Sequence, residues 1–249
     1  MMRITDTVKH LIIINVIVFV GMLTIGRNGM FDSLFAMHFP NNKAFEPWQV
    51  VTHMFMHANF MHIGFNMLAL WMFGSPVEQV LGSKRFLFIY FSAGLGAVAL
   101  QTGYYYWQYL PDYNALLNSG LTAESIKSML TSGQTSGALS QLQVDQLRHI
   151  FPFYNAVMVG ASGCIMGILA AFGMMNPEAR LMMIFLPIPI KAKYFIPGII
   201  ILDLISGLTG KSFFSPSNTA FFAHVGGALI GFIIMWYWKK NQFNNKRWY

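Results

Sequence analysis

Apolar residues fall in six long runs along this chain, at about residues 10–26, 51–74, 86–106, 156–175, 194–209 and 220–238, with polar connectors between them. Most approach the roughly 20 residues that a helix needs to cross a bilayer, so the pattern predicts an all-α bundle of six transmembrane helices. The fifth run is the shortest. Its run-in, Leu186 to Lys193, is apolar but interrupted by Pro187 and Pro189, and Pro197 follows, which predicts a bent or interfacial segment in place of a seventh span. The long connector, about 107–155, departs from the short loops usual in helical bundles. Within it Thr122–Leu130 and Ser136–Ile150 carry helical apolar spacing, each opening on a Thr or Ser suited to cap a helix. Two short amphipathic helices on the membrane surface fit that spacing, and so does a solvated connector without a role.

Composition agrees with the pattern. Of 249 residues 55% are apolar and only 10% charged, with a mean hydropathy of +0.49, whereas roughly a quarter of a soluble domain is charged. A single membrane domain over 1–249 is the economical organisation, because most connectors are too short to hold a second one. Lys and Arg are unequally divided between the two sets of connectors. Arg3, Lys9, Lys84, Arg85, Arg180, Lys191, Lys193, Lys239, Lys240, Lys246 and Arg247 fall on one side, and Arg27, Lys43, Lys127, Arg148 and Lys211 on the other. The positive-inside rule then places both termini in the cytoplasm. This asymmetry accounts for most of the net charge of +7, and no basic patch is interleaved with exposed aromatics, so no nucleic-acid partner is expected. The first run lacks a small-residue cleavage site after Leu11–Val20 and reads as a retained helix. Cys164 is the only cysteine, which excludes an internal disulfide. With no organellar targeting segment or long cytosolic extension, a bacterial inner membrane is the expected location.

Two polar residues inside these runs carry the chemical interest. Ser162 lies in the Gly160-Ala-Ser-Gly163 turn at the head of the fourth run, and His224 lies inside the sixth. Polar groups at membrane depth are costly, so each is a functional candidate. A serine hydroxyl becomes a competent nucleophile when an adjacent base takes its proton, and imidazole is the usual base. Gly163 and Gly167 form a small-residue face on one span, Gly227 and Gly231 on the other, and such faces let helix backbones approach closely. His224 sits three residues before Gly227 and Ser162 directly precedes Gly163, so packing of the two faces would bring the pair to one level. His62 and Asn66, at i and i+4 on the second span, project together. With the backbone N–H groups at the helix start, including that of Ser162, they could stabilise an oxyanion. Taken singly, each element also has a plain structural use: helix packing, a helix start, or a buried hydrogen-bonded pair.

With these residues in hand, the chain resembles the rhomboid family of intramembrane serine proteases. The matching pieces are His57-Ala-Asn-Phe-Met-His62-Ile-Gly-Phe-Asn66, Gly160-Ala-Ser162-Gly163, Ala223-His224-Val-Gly-Gly227-Ala-Leu-Ile-Gly231, and Gly74-Ser-Pro-Val-Glu78 followed by Leu81-Gly82. The resemblance implies a six-helix bundle in which Ser162 is the nucleophile and His224 the base, a dyad without a carboxylate. It implies His62, Asn66 and the Ser162 N–H as oxyanion stabilisers, His57 as a structural histidine and Glu78 as a carboxylate that secures a loop. It implies as partners the lipid bilayer and single-pass substrates, cut in their transmembrane segments near the extracytoplasmic end. Span five and Thr209–Thr219 resemble the gate through which such substrates enter. Two departures stand out: the loop Arg27–Gln49 has Trp48 but no Trp-Arg pair, and Met166 stands where relatives often place an aromatic against the histidine.

Asp203, the one acid in mid-span, could lie at the depth of Ser162 and orient His224 as a third member. The resemblance favours the dyad, with the acid facing other helices or a gate cavity. Rival functions are weaker. His53-Met-Phe-Met-His57 lacks the Glu of a His-Glu-x-x-His zinc site, so neither a metal nor a cofactor is expected. A transporter would show two related halves with broken helices. The remaining alternative is an inactive relative that binds transmembrane segments without cutting them.

Overall fold

The computed structural model describes residues 3–26, 29–135, 137–183, 186–212 and 220–241. Arg27, Ser136, Lys246, Arg247 and most of the 209–219 loop, all used above, lie outside the described residues. In chain order the elements are α1 (Asp6–Thr24), α2 (Met30–Phe35), β1 (Met37–His38), α3 (Gln49–Thr52) with a tight turn at His53–Phe55, and α4 (Phe60–Ala69). A π-turn at Leu70–Gly74 leads into α5 (Ser75–Leu81), followed by α6 (Ser83–Asn118), α7 (Ala123–Ser132), α8 (Gln141–Tyr154), β2 (Val157–Met158) and α9 (Ser162–Met175). The chain ends with β3 (Arg180–Met183), β4 (Leu186–Lys191), α10 (Ala192–Thr209) and α11 (Phe221–Asn241).

Four of these helices, α1, α6, α10 and α11, are long and apolar enough to cross a membrane, and α9 is a shorter apolar helix of 14 residues. Helix α11 lies mainly against α6 and α9, with α10 on its flank. Large apolar side chains such as Ile17, Phe60, Phe65, Phe232 and Trp236 cover the outside of the bundle. A soluble monomer does not expose apolar surface on this scale, whereas lipid tails accept it.

The expected runs are shifted in three places. The second run is interrupted after α3 ends at Thr52: the turn at His53–Phe55 ends in extended Met56, and the helix restarts at Phe60, where Asn59 accepts a hydrogen bond from the His62 N–H at 2.9 Å. The fourth begins at Ser162, because Val157–Met158 are drawn into an antiparallel pair with Met37–His38. The third continues to Asn118 through Pro111, so α6 has 36 residues and rises about 54 Å at 1.5 Å per residue. An all-α fold must also be amended by β3 and β4, an antiparallel hairpin containing Pro187 and Pro189. The proline-broken run-in forms a strand of this hairpin, whose base is closed by Glu178 pairing with Lys191 and Lys193.

The long connector is a folded unit. Helix α7 starts at the predicted Thr122 cap, but α8 starts at Ser140, where a capping box with Gln143 forms, and not at Ser136. Their apolar faces do not lie open to a membrane surface. Ile126, Leu130, Leu147 and Ile150 pack on Tyr109 and Leu116 of the overhanging end of α6. His149 of α8 bonds Asp112 of α6 at 2.7 Å.

Glu78 anchors the start of α1. Its carboxylate accepts the Thr5 hydroxyl, the N–H groups of Thr7 and Val8 at 3.2 and 3.0 Å, and the Ser83 hydroxyl at 2.8 Å. The first N–H groups of a helix lack partners, and an anion placed there satisfies them. Burial works against the charged form, but these hydrogen bonds prevail and hold the carboxyl below its ordinary value. Its contribution is therefore complete above about pH 4.5 and is lost as pH falls through the lower folded value. Glu78→Ala is expected to cost about 1–3 kcal/mol and to flatten the acid side of the stability profile, read by thermal unfolding in detergent from pH 3 to 7. An unaltered profile would remove this anchoring role.

Candidate active site

Ser162 is the first residue of α9, and its position is set by Gly160. That glycine has φ +125°, a conformation closed to most L-residues, and its N–H donates to the His53 carbonyl at 2.9 Å. A Cβ at Gly160 would stand 2.8 Å from the His62 ring and 3.8 Å from the Ser162 hydroxyl, so only glycine lets these groups converge. The first internal bond of α9 runs from the Ile165 N–H to the Ala161 carbonyl. The N–H groups of Ser162, Gly163 and Cys164 therefore have no acceptor within the helix and line its start as donors.

His224 reaches this point from α11. Its Nε2 is 2.9 Å from Ser162 Oγ, and both side chains are half-buried. The glycine faces bring the two helices together: a Cβ at Gly227 would lie 2.0 Å from the Gly163 carbonyl oxygen, and one at Gly231 would lie 2.3 Å from that of Gly167. Helix α6 joins the same seam, since Cβ atoms at Gly163 and Gly167 would collide with Ala97 and Ala93. One contact was not visible in the motifs. Gln101 of α6 accepts the Ala223 N–H at 3.1 Å, a donor it shares with the Ala220 carbonyl at 3.0 Å, and so ties α6 to the head of α11 beside His224.

His62 comes to the site and Asn66 stays bonded within its own helix. The Ala58 N–H donates to His62 Nδ1 at 3.3 Å, so the proton of the neutral ring sits on Nε2, the edge that meets Gly160. The Asn66 amide donates to the His62 carbonyl at 2.9 Å, leaving its second N–H for another acceptor. His57 is buried and packs edge-on against His62, with ring centroids 5.1 Å apart. His53 Nδ1 is 2.8 Å from the Gln49 carbonyl. Among the described residues no three His, Cys, Asp or Glu side chains converge as a metal site would require.

An acid stands beside the expected Ser162–His224 dyad. Asp203 of α10 places Oδ2 2.9 Å from His224 Nδ1, so an acid completes a line through the imidazole to Ser162. Met166 is buried in the main core, one turn beyond Ser162. In the loop before α3, where the Trp-Arg pair is missing, Gln49 does the organising. Its amide donates to the carbonyls of Ser33 and Ala44 while its oxygen accepts the His38 N–H, and Trp48 bonds the Leu34 carbonyl at 2.7 Å.

A serine at a helix start against a histidine, inside a bundle of apolar helices, defines a membrane-embedded serine–histidine site. The chain belongs to the rhomboid family: the Rhomboid domain matches residues 44–241. It is 29% identical over 197 residues to Rhomboid protease AarA of Providencia stuartii, covering 75% of this chain and 54% of that protein. It is 28% identical over 204 residues to the mitochondrial Presenilin-associated rhomboid-like protein of Bos taurus, covering 78% of this chain and 40% of that protein. A shorter stretch of 55 residues is 46% identical to Rhomboid protease GluP of Bacillus subtilis, 22% of this chain and 11% of that protein. The chain thus spans about half the length, or less, of these relatives. The family includes serine intramembrane proteases, and its membership together with the apolar helices marks this chain as a membrane protein.

Proposed function

We propose that this protein is an intramembrane serine endopeptidase that cleaves transmembrane segments of single-pass substrates near their extracytoplasmic end. The observation that carries the reading is the 2.9 Å approach of Ser162 Oγ to His224 Nε2. Ser162 is the nucleophile and His224 the general base. The proton of Ser162 passes to Nε2 as its oxygen bonds the scissile carbonyl carbon, and His224 then protonates the departing amine as the C–N bond breaks. Water activated by His224 releases the acyl group. His62, Asn66 and the N–H groups at the start of α9 stabilise the oxyanion.

The whole chain acts as one domain of six spans, with α4 and its π-turn, and α9, joining the four long helices and both termini in the cytoplasm of a bacterial inner membrane. Helix α9 rises only about 21 Å, against roughly 30 Å of hydrocarbon. With its far end at one surface, Ser162 stays some way below the other, in a recess that water and substrate reach from the extracytoplasmic side. A substrate helix hides its carbonyls in its own hydrogen bonds, so the segment must unwind before attack. The alternative, an inactive binder of transmembrane segments, leaves the Ser162–His224 contact without a use. No nucleic acid takes part.

The test is incubation of the purified protein with tagged single-span substrates in proteoliposomes, with the products mapped by mass spectrometry. Cuts inside the membrane segment, faster when it carries a Gly or Pro, are expected; binding without any cut would favour the inactive alternative. In the same assay His62→Ala is expected to lower kcat about 10²- to 10³-fold, with little change in thermal stability. Asn66→Ala, whose amide also serves its helix, is expected to cost about tenfold. Unchanged kcat in both would remove the oxyanion role.

A further inference from the structure

We propose that Asp203 is a positioning residue for the reaction, holding His224 in the tautomer and orientation that let it act on Ser162. This inference rests on the protease reading above. A carboxylate can only accept hydrogen bonds, so at 2.9 Å from Asp203 Oδ2 it is His224 Nδ1 that carries the proton. The lone pair of the neutral ring then sits on Nε2, 2.9 Å from the Ser162 hydroxyl, which is the arrangement a general base needs. The opposite tautomer would point an N–H at Ser162 and could not take its proton.

The contact is built into the packing of two helices. Asp203 is 8% exposed, while its neighbours Ile201, Leu204 and Ile205 point outward, so the acid is turned into the bundle and away from lipid. One turn further along the same face, Gly207 lets α10 approach α11: a Cβ there would stand 2.9 Å from the ring of Phe222, two residues before His224. Phe222 is itself stacked on Tyr104 of α6 at 4.3 Å between centroids. The register of α10 on α11 is thereby fixed where Asp203 meets His224.

In the reaction the Ser162 proton moves to Nε2 and the Nδ1 proton stays on the ring. Asp203 remains ionised and stabilises the imidazolium until its Nε2 proton leaves with the amine. His224 is met by Asp203 from α10 and by the Ser162 hydroxyl from α9.

The test compares wild type with Asp203→Asn and Asp203→Glu. Three readouts are taken: labelling by a serine-reactive fluorophosphonate, kcat and KM for a transmembrane substrate, and ¹⁵N-histidine spectra. Asp203→Asn is expected to lower the labelling rate and kcat about 10²- to 10⁴-fold, with KM within about threefold. Asp203→Glu should recover part of that loss. An Asp203→Asn protein within about threefold of wild type overturns the proposal, as does a change confined to KM or to melting temperature. Should Asp203→Asn not fold, the wild-type spectrum decides: a neutral His224 protonated on Nδ1 is expected, and one protonated on Nε2 overturns it. A wild type that neither labels nor cleaves overturns the protease reading itself, whereas an active wild type with an indifferent Asp203→Asn overturns only the role of Asp203.

Discussion

Ser162→Ala is expected to abolish substrate cleavage, by about 10⁴-fold or more, while the protein stays folded and inserted in the membrane. The change removes the one oxygen that lies against His224 Nε2 and leaves the surrounding contacts in place. Half-buried Ser162 has no side-chain role in capping α9, so stability should move little. His224→Ala should lose nearly as much, and the double variant no more than either alone, because the two groups act as one unit. A fluorophosphonate should label Ser162 in wild type, and labelling should fail in His224→Ala although the serine is still present. Cleavage that persists in Ser162→Ala, with the same cut site, would place the chemistry elsewhere.

What the sequence conveyed and what it withheld divide along physical lines. Glycines four residues apart mark where backbones can touch, and Gly163 and Gly167 do meet Gly227 and Gly231. The part taken by α6 in that seam was hidden, because its apolar residues run all round the helix and single out no face. Hydropathy also cannot separate extended from helical apolar backbone. Residues 53–59 and 156–161 therefore read as span although they form a turn with extended backbone, a short strand and the Gly160 bend. The overhang of α6 was missed for the opposite reason: beyond residue 106 its sequence turns polar, and the apolar faces of α7 and α8 sustain it from outside. Asp203 was visible as a costly acid, but its partner depends on how far α10 is rotated about its axis. That rotation is set by the contact of Gly207 with Phe222, which no pattern along one helix records.

The same seam gives the second large effect. Gly227→Ala is expected to destabilise the bundle and to remove most of the activity, because its methyl group would stand 2.0 Å from the Gly163 carbonyl oxygen and 3.2 Å from its Cα. Both obstacles are backbone and cannot turn aside as a flexible side chain can. The helices would have to separate by an ångström or so, which overpacked interiors resist at a cost of about 1–3 kcal/mol or more. Separation at Gly227 acts one helical turn from His224, so it lengthens the contact to Ser162 even where the bundle survives. A variant that remains folded should therefore still lose most of its kcat, since a misplacement of about 1 Å can cost a hundredfold. Gly103→Ala provides the contrast: it lies in α6 with no atom near its added methyl group, and there alanine should be neutral or mildly stabilising. Melting temperature and kcat measured on both variants separate a seam that needs glycine from a bundle that merely contains many; equal tolerance of the two would mean that α9 and α11 do not touch as described.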